Sequence, residues 1–309
     1  MIDVAIVGAG PAGLAAGVYA TRAGFSTTLF EGMVVGGQLT SIDKLENYPG
    51  FPEGVGGFEI AFAMREQAER FGSTFVSERV EAISETSEDG AMPLFTLRTA
   101  SGEYQARLVI LAMGAKPRQL PVPGLEELTG RGVSYCATCD GNFFRGKEVI
   151  VVGGGDTACA DAIYLSRICP KVHLAHRRDE LRASPWYAQR LESLDNVEMH
   201  WNTVLTGVEQ ADGVLASVVL ENVITKETQQ LEVSGAFIAV GTSPDTAWLE
   251  GVVDLNESGY VITHGEGETS RPGIFAAGDT RTTPLRQVVT AVSDGALAAE
   301  AAAKYLASW

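Results

Sequence analysis

The chain has 309 residues, more than one core usually spans, so two domains are expected. Hydrophobic residues make up 45% and charged residues 20%, the balance of a globular enzyme rather than a disordered chain. A net charge of −16 repels phosphate backbones and anionic bilayers, so neither nucleic acid nor membrane is an expected partner, and any anionic ligand must be met by a local cluster of positive charge.

Residues 4–20 are nearly all apolar or Gly, like the core of a signal peptide, but Asp3 stands where a basic flank belongs. No Gly-free apolar run is long enough to span a bilayer. A soluble, cytoplasmic protein is expected. Its cysteines, Cys136, Cys139, Cys159 and Cys169, are too few for a disulfide scaffold at this length.

In chain order, the apolar run Ile2–Val7 reads as a buried parallel strand. Gly8-Ala9-Gly10-Pro11-Ala12-Gly13 follows, then a small-residue helix to about Arg22 and a second strand over 26–30 that ends at Glu31. This is G-x-G-x-x-G with an acid 18 positions past its last glycine. The first glycine makes the turn, the second admits a pyrophosphate and the third lets helix pack on strand. The helix N-terminus faces the phosphates, and the acid binds ribose hydroxyls.

Next comes Cys136-Ala137-Thr138-Cys139, followed at once by Asp140-Gly141. Two thiols at this spacing can close and reopen a small disulfide ring, with one cysteine attacking an external disulfide and the other resolving it. Asp140 is the candidate acid–base group; it also suits the start of a turn, and both roles can hold. A zinc site needs further ligands at matching spacing. Cys159 and Cys169 read as buried small hydrophobes, and His173, His176, His200 and His264 are scattered, so no metal is expected.

The first βαβ unit then returns at a shift of 145: a strand over 148–152, Gly153-Gly154-Gly155-Asp156-Thr157-Ala158, a helix to about Arg167 and a strand over 171–175. Gly8 falls on Gly153, Gly10 on Gly155, Gly13 on Ala158 and Glu31 on His176. In place of the acid stand His176-Arg177-Arg178, with Arg182 one helical turn beyond, a set that suits a ribose 2′-phosphate. The first site therefore suits FAD and the second NADPH.

The C-terminal stretch reads as a strand over 273–277, then Gly278-Asp279, and a helix over about 285–306. Asp279 is placed to accept from a ribityl chain, and Arg286-Gln287-Val288 to offer backbone N–H groups to a flavin ring. The expected architecture is α/β with two Rossmann-like dinucleotide-binding domains. The FAD domain is discontinuous, over 1–116 and 246–309, and an NADPH domain carrying the CxxC is inserted over 117–245. The junctions, Ala115-Lys116-Pro117-Arg118 and Gly241-Thr242-Ser243-Pro244-Asp245, read as hinges permitting rigid rotation.

Taken together, Cys136-Ala137-Thr138-Cys139-Asp140-Gly141, the paired fingerprints, the arginine cluster, and Gly278-Asp279 with Arg286-Gln287 resemble the low-molecular-weight thioredoxin reductases of the pyridine nucleotide-disulfide oxidoreductase family. Gly36-Gly37-Gln38-Leu39, Glu46-Asn47-Tyr48-Pro49-Gly50 and Phe237-Ile238-Ala239-Val240-Gly241 match too, so the likeness covers the whole chain. It implies electron flow from NADPH through FAD and the Cys136/Cys139 disulfide to thioredoxin or a thioredoxin-like protein, in a homodimer. Cys139 would be nearest the flavin, Cys136 would attack thioredoxin, Asp140 would be the catalytic acid and Arg131 a docking position. Gly37, Gln38 and Asn47 would line the flavin site with Asp279 and Gln287. Leu39, Val80, Ala112, Gly114, Asp156, Thr157, Val240 and Gly241 complete the candidate cofactor-binding set.

The chain departs from the family pattern at Met113, Asn142, Ala160-Asp161 and Pro185-Trp186-Tyr187; the last would cap a helix over the arginines early. Two alternatives stay open. One is a related flavin-dependent dithiol/disulfide oxidoreductase with another electron donor or a small-molecule dithiol. The other is a non-catalytic flavin-binding protein whose cysteines are structural.

Overall fold

The computed structural model describes all residues except 33–35, 43 and 87–91. They fall into two compact units, 1–116 with 243–309, and 117–242. Among the described residues no helix is long and apolar enough to cross a membrane.

In chain order, β1 (Ile2–Val7), α1 (Pro11–Arg22), β2 (Thr27–Phe30), α2 (Gly57–Arg70), β3 (Thr74–Val76), β4 (Ala82–Glu85), β5 (Phe95–Arg98) and β6 (Glu103–Leu111) lead to β7 (Ala115–Pro117). The next unit holds β8 (Val133–Ser134), α3 (Ala137–Asp140), β9 (Val149–Gly153), α4 (Asp156–Leu165), β10 (Val172–Ala175), α5 (Pro185–Glu192), β11 (Val197–His200), β12 (Thr203–Ala211), β13 (Val214–Asn222), β14 (Thr228–Glu232) and β15 (Gly235–Ala239). The chain returns through β16 (Thr242–Pro244), which pairs with β7, and ends with β17 (Ile274–Ala276) and α6 (Val288–Ala307).

In the first unit the sheet runs β3-β2-β1-β6-β5-β4, and β17 also pairs with β6. β6 pairs with β1 along one edge and is long enough to serve two neighbours along the other: residues 103–106 pair antiparallel with β5, and 109–111 pair parallel with β17. Alternation along β1 sends Val4 and Ile6 into the core under α1 and α6, and Ala5 and Val7 into the opposite core with Phe30 and Val80. The helices on the first face can approach closely because their contact is made of alanine and glycine: Ala12 on α1, and Ala291, Gly295, Ala298 and Ala302 on α6, are all buried. α6 starts at Val288, not near 285. Gln287 and Thr290 cap the first turn reciprocally, and the Thr290 hydroxyl also donates to the Leu285 carbonyl at 2.9 Å.

In the second unit a parallel sheet, β11-β10-β9-β15-β8, carries α4 and α5 on one face and the antiparallel sheet β12-β13-β14 on the other. Val149, Val151, Val172 and Leu174 point to the helices, and Ile150, Val152 and Ala175 to the small sheet. The arginine segment differs from expectation. Residues 177–184 are bends and irregular backbone rather than helix, and Pro185 opens α5 at its first turn instead of ending a helix, since its fixed φ and missing N–H suit that position.

A Cβ on Gly295 would stand 2.0 Å from the Ala12 carbonyl oxygen. Gly295→Ala is therefore expected to destabilise the first unit by about 1–3 kcal/mol through overpacking, outweighing the usual helical advantage of alanine. Thermal unfolding would show a lower midpoint; a midpoint unchanged or raised would contradict this packing.

Candidate functional site

The two glycine loops solve one steric problem in the same way. Gly8, at φ +111°, passes the backbone of Ala112 so closely that a Cβ would lie 2.3 Å from its carbonyl oxygen. Gly153, at φ +156°, meets the Ala239 carbonyl at the same 2.3 Å. The third position packs helix on loop: a Cβ at Gly13 would stand 1.9 Å from the Gly8 carbonyl oxygen, whereas the second loop takes a methyl at Ala158. Only at the second position is there space. A Cβ on Gly10 or Gly155 would meet nothing within 4 Å. Both glycines are N-caps without a side-chain cap, so the first N–H groups of α1 and α4 have no side-chain acceptor from the cap. Each loop thus presents open space and backbone donors, which suits a pyrophosphate.

Around the first loop, Gly36 N–H donates to the Ala9 carbonyl at 2.8 Å and brings a 3-10 turn, Gly37–Ser41, against Gly10. Gln38 Nε2 donates to the Ala115 carbonyl at 2.7 Å, and Leu39 is buried. Val80 and Ala112 are buried, and Gly114 at φ +71° is open. Glu31 follows β2 as the pattern requires, but its carboxylate is already engaged by Arg65 Nη1 at 2.8 Å and Ser77 Oγ at 2.6 Å. Asn47 Nδ2 donates to Gln287 Oε1 at 2.9 Å, which draws together two residues 240 positions apart.

Near the start of α6, Gly278 N–H donates to Asp294 Oδ2 at 3.1 Å, and Arg281 pairs with Asp294 at 3.3 Å. Burial pushes the Asp279 carboxyl up to about 6, with Arg286 working against the rise and Asp294 adding to it. The Arg286 guanidinium lies 4.6 Å over the Tyr260 ring. Buried Nε atoms of Arg281 and Arg286 and Oγ1 of Thr280 have no hydrogen-bond partner. A desolvated carboxylate beside unmatched donors suits a polyhydroxyl ligand that both donates and accepts.

In the second unit, Arg177, Arg178 and Arg182 are exposed, while His176 is buried with its ring against Gly154. Two backbone donors clamp the arginine segment to the loop: Arg182 N–H to the Gly154 carbonyl at 2.8 Å, and Ser184 N–H to Asp156 Oδ1 at 2.6 Å. Thr157 is exposed, Val240 half-buried, and Gly241 adopts φ +102°. At the departing position in α4, burial pushes the Asp161 carboxyl up to about 7.

The redox pair is closed: Cys136 and Cys139 share a disulfide at 2.10 Å, with Cα atoms 5.3 Å apart. Cys136 is the extended N-cap of α3 and Cys139 lies within it. The small residues between and after them are dictated by packing. Ala137 is fully buried, and a Cβ on Gly141 would stand 2.7 Å from the Tyr164 ring of α4. Asp140 precedes a short 3-10 turn but makes no side-chain cap. Its Oδ2 accepts instead from Ser134 Oγ at 2.5 Å, and that same Oγ accepts the Cys136 N–H at 3.1 Å. Ser134 carries no motif of its own; its signal is its place two residues before Cys136, at the end of β8. Cys159 and Cys169 are buried and free.

Among the described residues, one further titratable group comes together that the sequence reading left apart: His173, Glu198 and His200 converge on one face of the second unit's sheet.

The model of the pyridine nucleotide-disulphide oxidoreductase family matches residues 2–295. A thioredoxin reductase of Treponema pallidum is 46% identical over 98% of this chain and 97% of its own. A bifunctional thioredoxin reductase/thioredoxin of Mycobacterium leprae is 43% identical over 99% of this chain and 66% of its own. The crystal structure of thioredoxin reductase from Streptococcus pyogenes superposes with a TM-score of 0.90 at 40% identity, covering 100% of this chain and 99% of that one. The chain belongs to the pyridine nucleotide-disulphide oxidoreductase family and, within it, to the low-molecular-weight thioredoxin reductases.

Proposed function

We propose that the protein passes electrons from NADPH, through FAD and the Cys136–Cys139 disulfide, to thioredoxin or a thioredoxin-like protein. The observation that carries this is the closed CxxC disulfide in the same unit as a glycine loop backed by arginines, in a chain whose other unit repeats the loop with an acid. The first unit is read as the FAD unit: Gly8, Gly10 and Gly13 would receive the pyrophosphate, Glu31 the ribose, and Asp279 with Gln287 the flavin end. Bound there, flavin would supply a two-electron exchange between nicotinamide and disulfide. The second unit is read as the NADPH unit, with Arg177, Arg178 and Arg182 placed for a 2′-phosphate. A cytoplasmic homodimer is part of the reading; Phe58 and Phe62, stacked and exposed on α2, leave apolar surface uncovered on the single chain.

The chain's own chemistry is thiol exchange. With the pair reduced, the Cys136 thiolate attacks the partner's disulfide, forms a mixed disulfide and releases one thiolate. Cys139 then attacks the Cys136 sulfur, restores the internal bond and releases the second thiolate. Asp140, fixed by Ser134, is the group placed to move the protons these steps require. Arg131, exposed just before β8, is the proposed docking contact. The relative named as a bifunctional thioredoxin reductase/thioredoxin supports the choice of partner.

NADPH-driven reduction of thioredoxin by the purified protein tests the reading. Activity is expected, and Cys136→Ser or Cys139→Ser should abolish it while flavin stays bound; turnover surviving either change would reject the relay.

Ser134→Ala should slow disulfide reduction about ten-fold, the scale of one hydrogen bond to a charged group, with the KM for NADPH unchanged. An unaltered rate would remove Ser134 from the mechanism.

Replacing Arg177 and Arg178 with Ala should raise the KM for NADPH about ten-fold or more, since each charge-assisted bond is worth about 1.5–3 kcal/mol, and leave NADH use unchanged. Equal losses with both nucleotides would contradict the 2′-phosphate assignment.

A further inference from the structure

Register and alternation place four distant residues together. His173 of β10 pairs with Glu198 of β11, and His200, two residues on, returns to the same face. His173 also pairs with Ile150 of β9, so Glu148, two residues before Ile150, shares that face. Elsewhere the face sends Ile150, Val152 and Ala175 into the apolar core beneath β12–β14. Toward its β11 edge it carries two imidazoles and two carboxylates.

Their ligating atoms converge. His173 Nδ1 and His200 Nε2 are 3.0 Å apart. Glu198 carboxylate oxygens lie 3.8 Å from His173 Nδ1 and 3.7 Å from His200 Nε2. A tetrahedral ion with bonds of about 2.0–2.1 Å separates its ligands by about 3.3 Å. Oε2 of Glu198 faces His173 and Oε1 faces His200, so a turn of this half-exposed carboxylate is needed to present one oxygen to both rings. Lys171 anchors the Glu198 carboxylate through Oε2 at 2.6 Å.

A simple hydrogen bond between the two rings leaves an unmatched atom. His173 Nε2 is buried without a hydrogen-bond partner, and the nearest carboxylate oxygen, of Glu148, is 3.6 Å away. Closing that gap by a few tenths of an ångström would seat Nε2–H on Glu148. It would leave Nδ1 as a lone-pair acceptor turned toward His200 and Glu198, able to take a metal ion or the His200 Nε2–H. This is the arrangement of a metal-bound histidine backed by a carboxylate. Burial disfavours the charged form of both imidazoles and so favours the form that ligates. The His173 side chain is 2% exposed and the two carboxylates about half, 51% for Glu148 and 48% for Glu198, so an ion can enter from solvent past the acids.

We propose that His173, His200 and Glu198 bind one zinc-class divalent cation, with Glu148 orienting His173 and solvent completing the shell. Two imidazoles and one carboxylate favour zinc and its first-row neighbours over magnesium or calcium. The ion would tie edge strand β11 to β10 inside the second unit. It would be independent of the redox pair.

Equilibrium dialysis of the flavin-loaded, disulfide-oxidised protein against zinc chloride tests this, with cobalt(II) as the spectroscopic probe. One zinc per chain and an intense visible band of tetrahedral cobalt are expected. His200→Ala should remove both, Glu198→Gln should weaken zinc at least ten-fold, and Glu148→Gln should weaken it about ten- to a hundred-fold. All three variants should retain reductase turnover. Glu198→Gln changes a half-exposed side chain and keeps the test open if His200→Ala folds poorly. Failure to bind an equivalent of zinc, or zinc binding unchanged in both Glu198→Gln and His200→Ala, would overturn the proposal.

Discussion

Each half of this protein depends on a strand-to-helix turn where the backbone at the end of another strand occupies the place of a side chain. The Ala112 carbonyl presses on Gly8 and the Ala239 carbonyl on Gly153. Those contacts hold the turns tight, aim α1 and α4, and leave open space only beside Gly10 and Gly155. The same constraint, used twice, makes two nucleotide cradles. What differs is the charge at the end of the second strand, an engaged carboxylate at Glu31 and exposed guanidinium groups at Arg177 and Arg178.

The redox centre follows the same economy of small residues. Ala137 and Gly141 let α3 settle against α4, the helix that begins at the second cradle. Ser134 then links two parts of that turn, accepting the Cys136 N–H and donating to Asp140. The Asp140 carboxylate and the Cys136 backbone are thus held by one hydroxyl, which explains how so short a helix can present both in a defined relation.

The repeat was legible because its rules are local: glycine where a Cβ cannot stand, alternation along a strand, small residues on a helix face. The CxxC was legible for the same reason. The arginine segment reads as helix in the sequence, but its path is fixed by tertiary bonds, Arg182 N–H to Gly154 and Ser184 N–H to Asp156, that no local pattern announces. The true start of α6 is hidden in the sequence because its Gln287/Thr290 box reverses the usual order of hydroxyl and amide. His173, Glu198 and His200 looked scattered because only the register between β10 and β11 brings them together.

The central claim is that the sulfur pair at 136 and 139 is an electron store filled from NADPH. Anaerobic titration of the flavin-loaded protein with NADPH measures its capacity directly. Flavin and disulfide each take two electrons, so the native protein should accept about one equivalent more than the Cys136→Ser/Cys139→Ser variant. Equal capacity in the two would show that the disulfide receives no electrons from the nucleotide and would contradict the account.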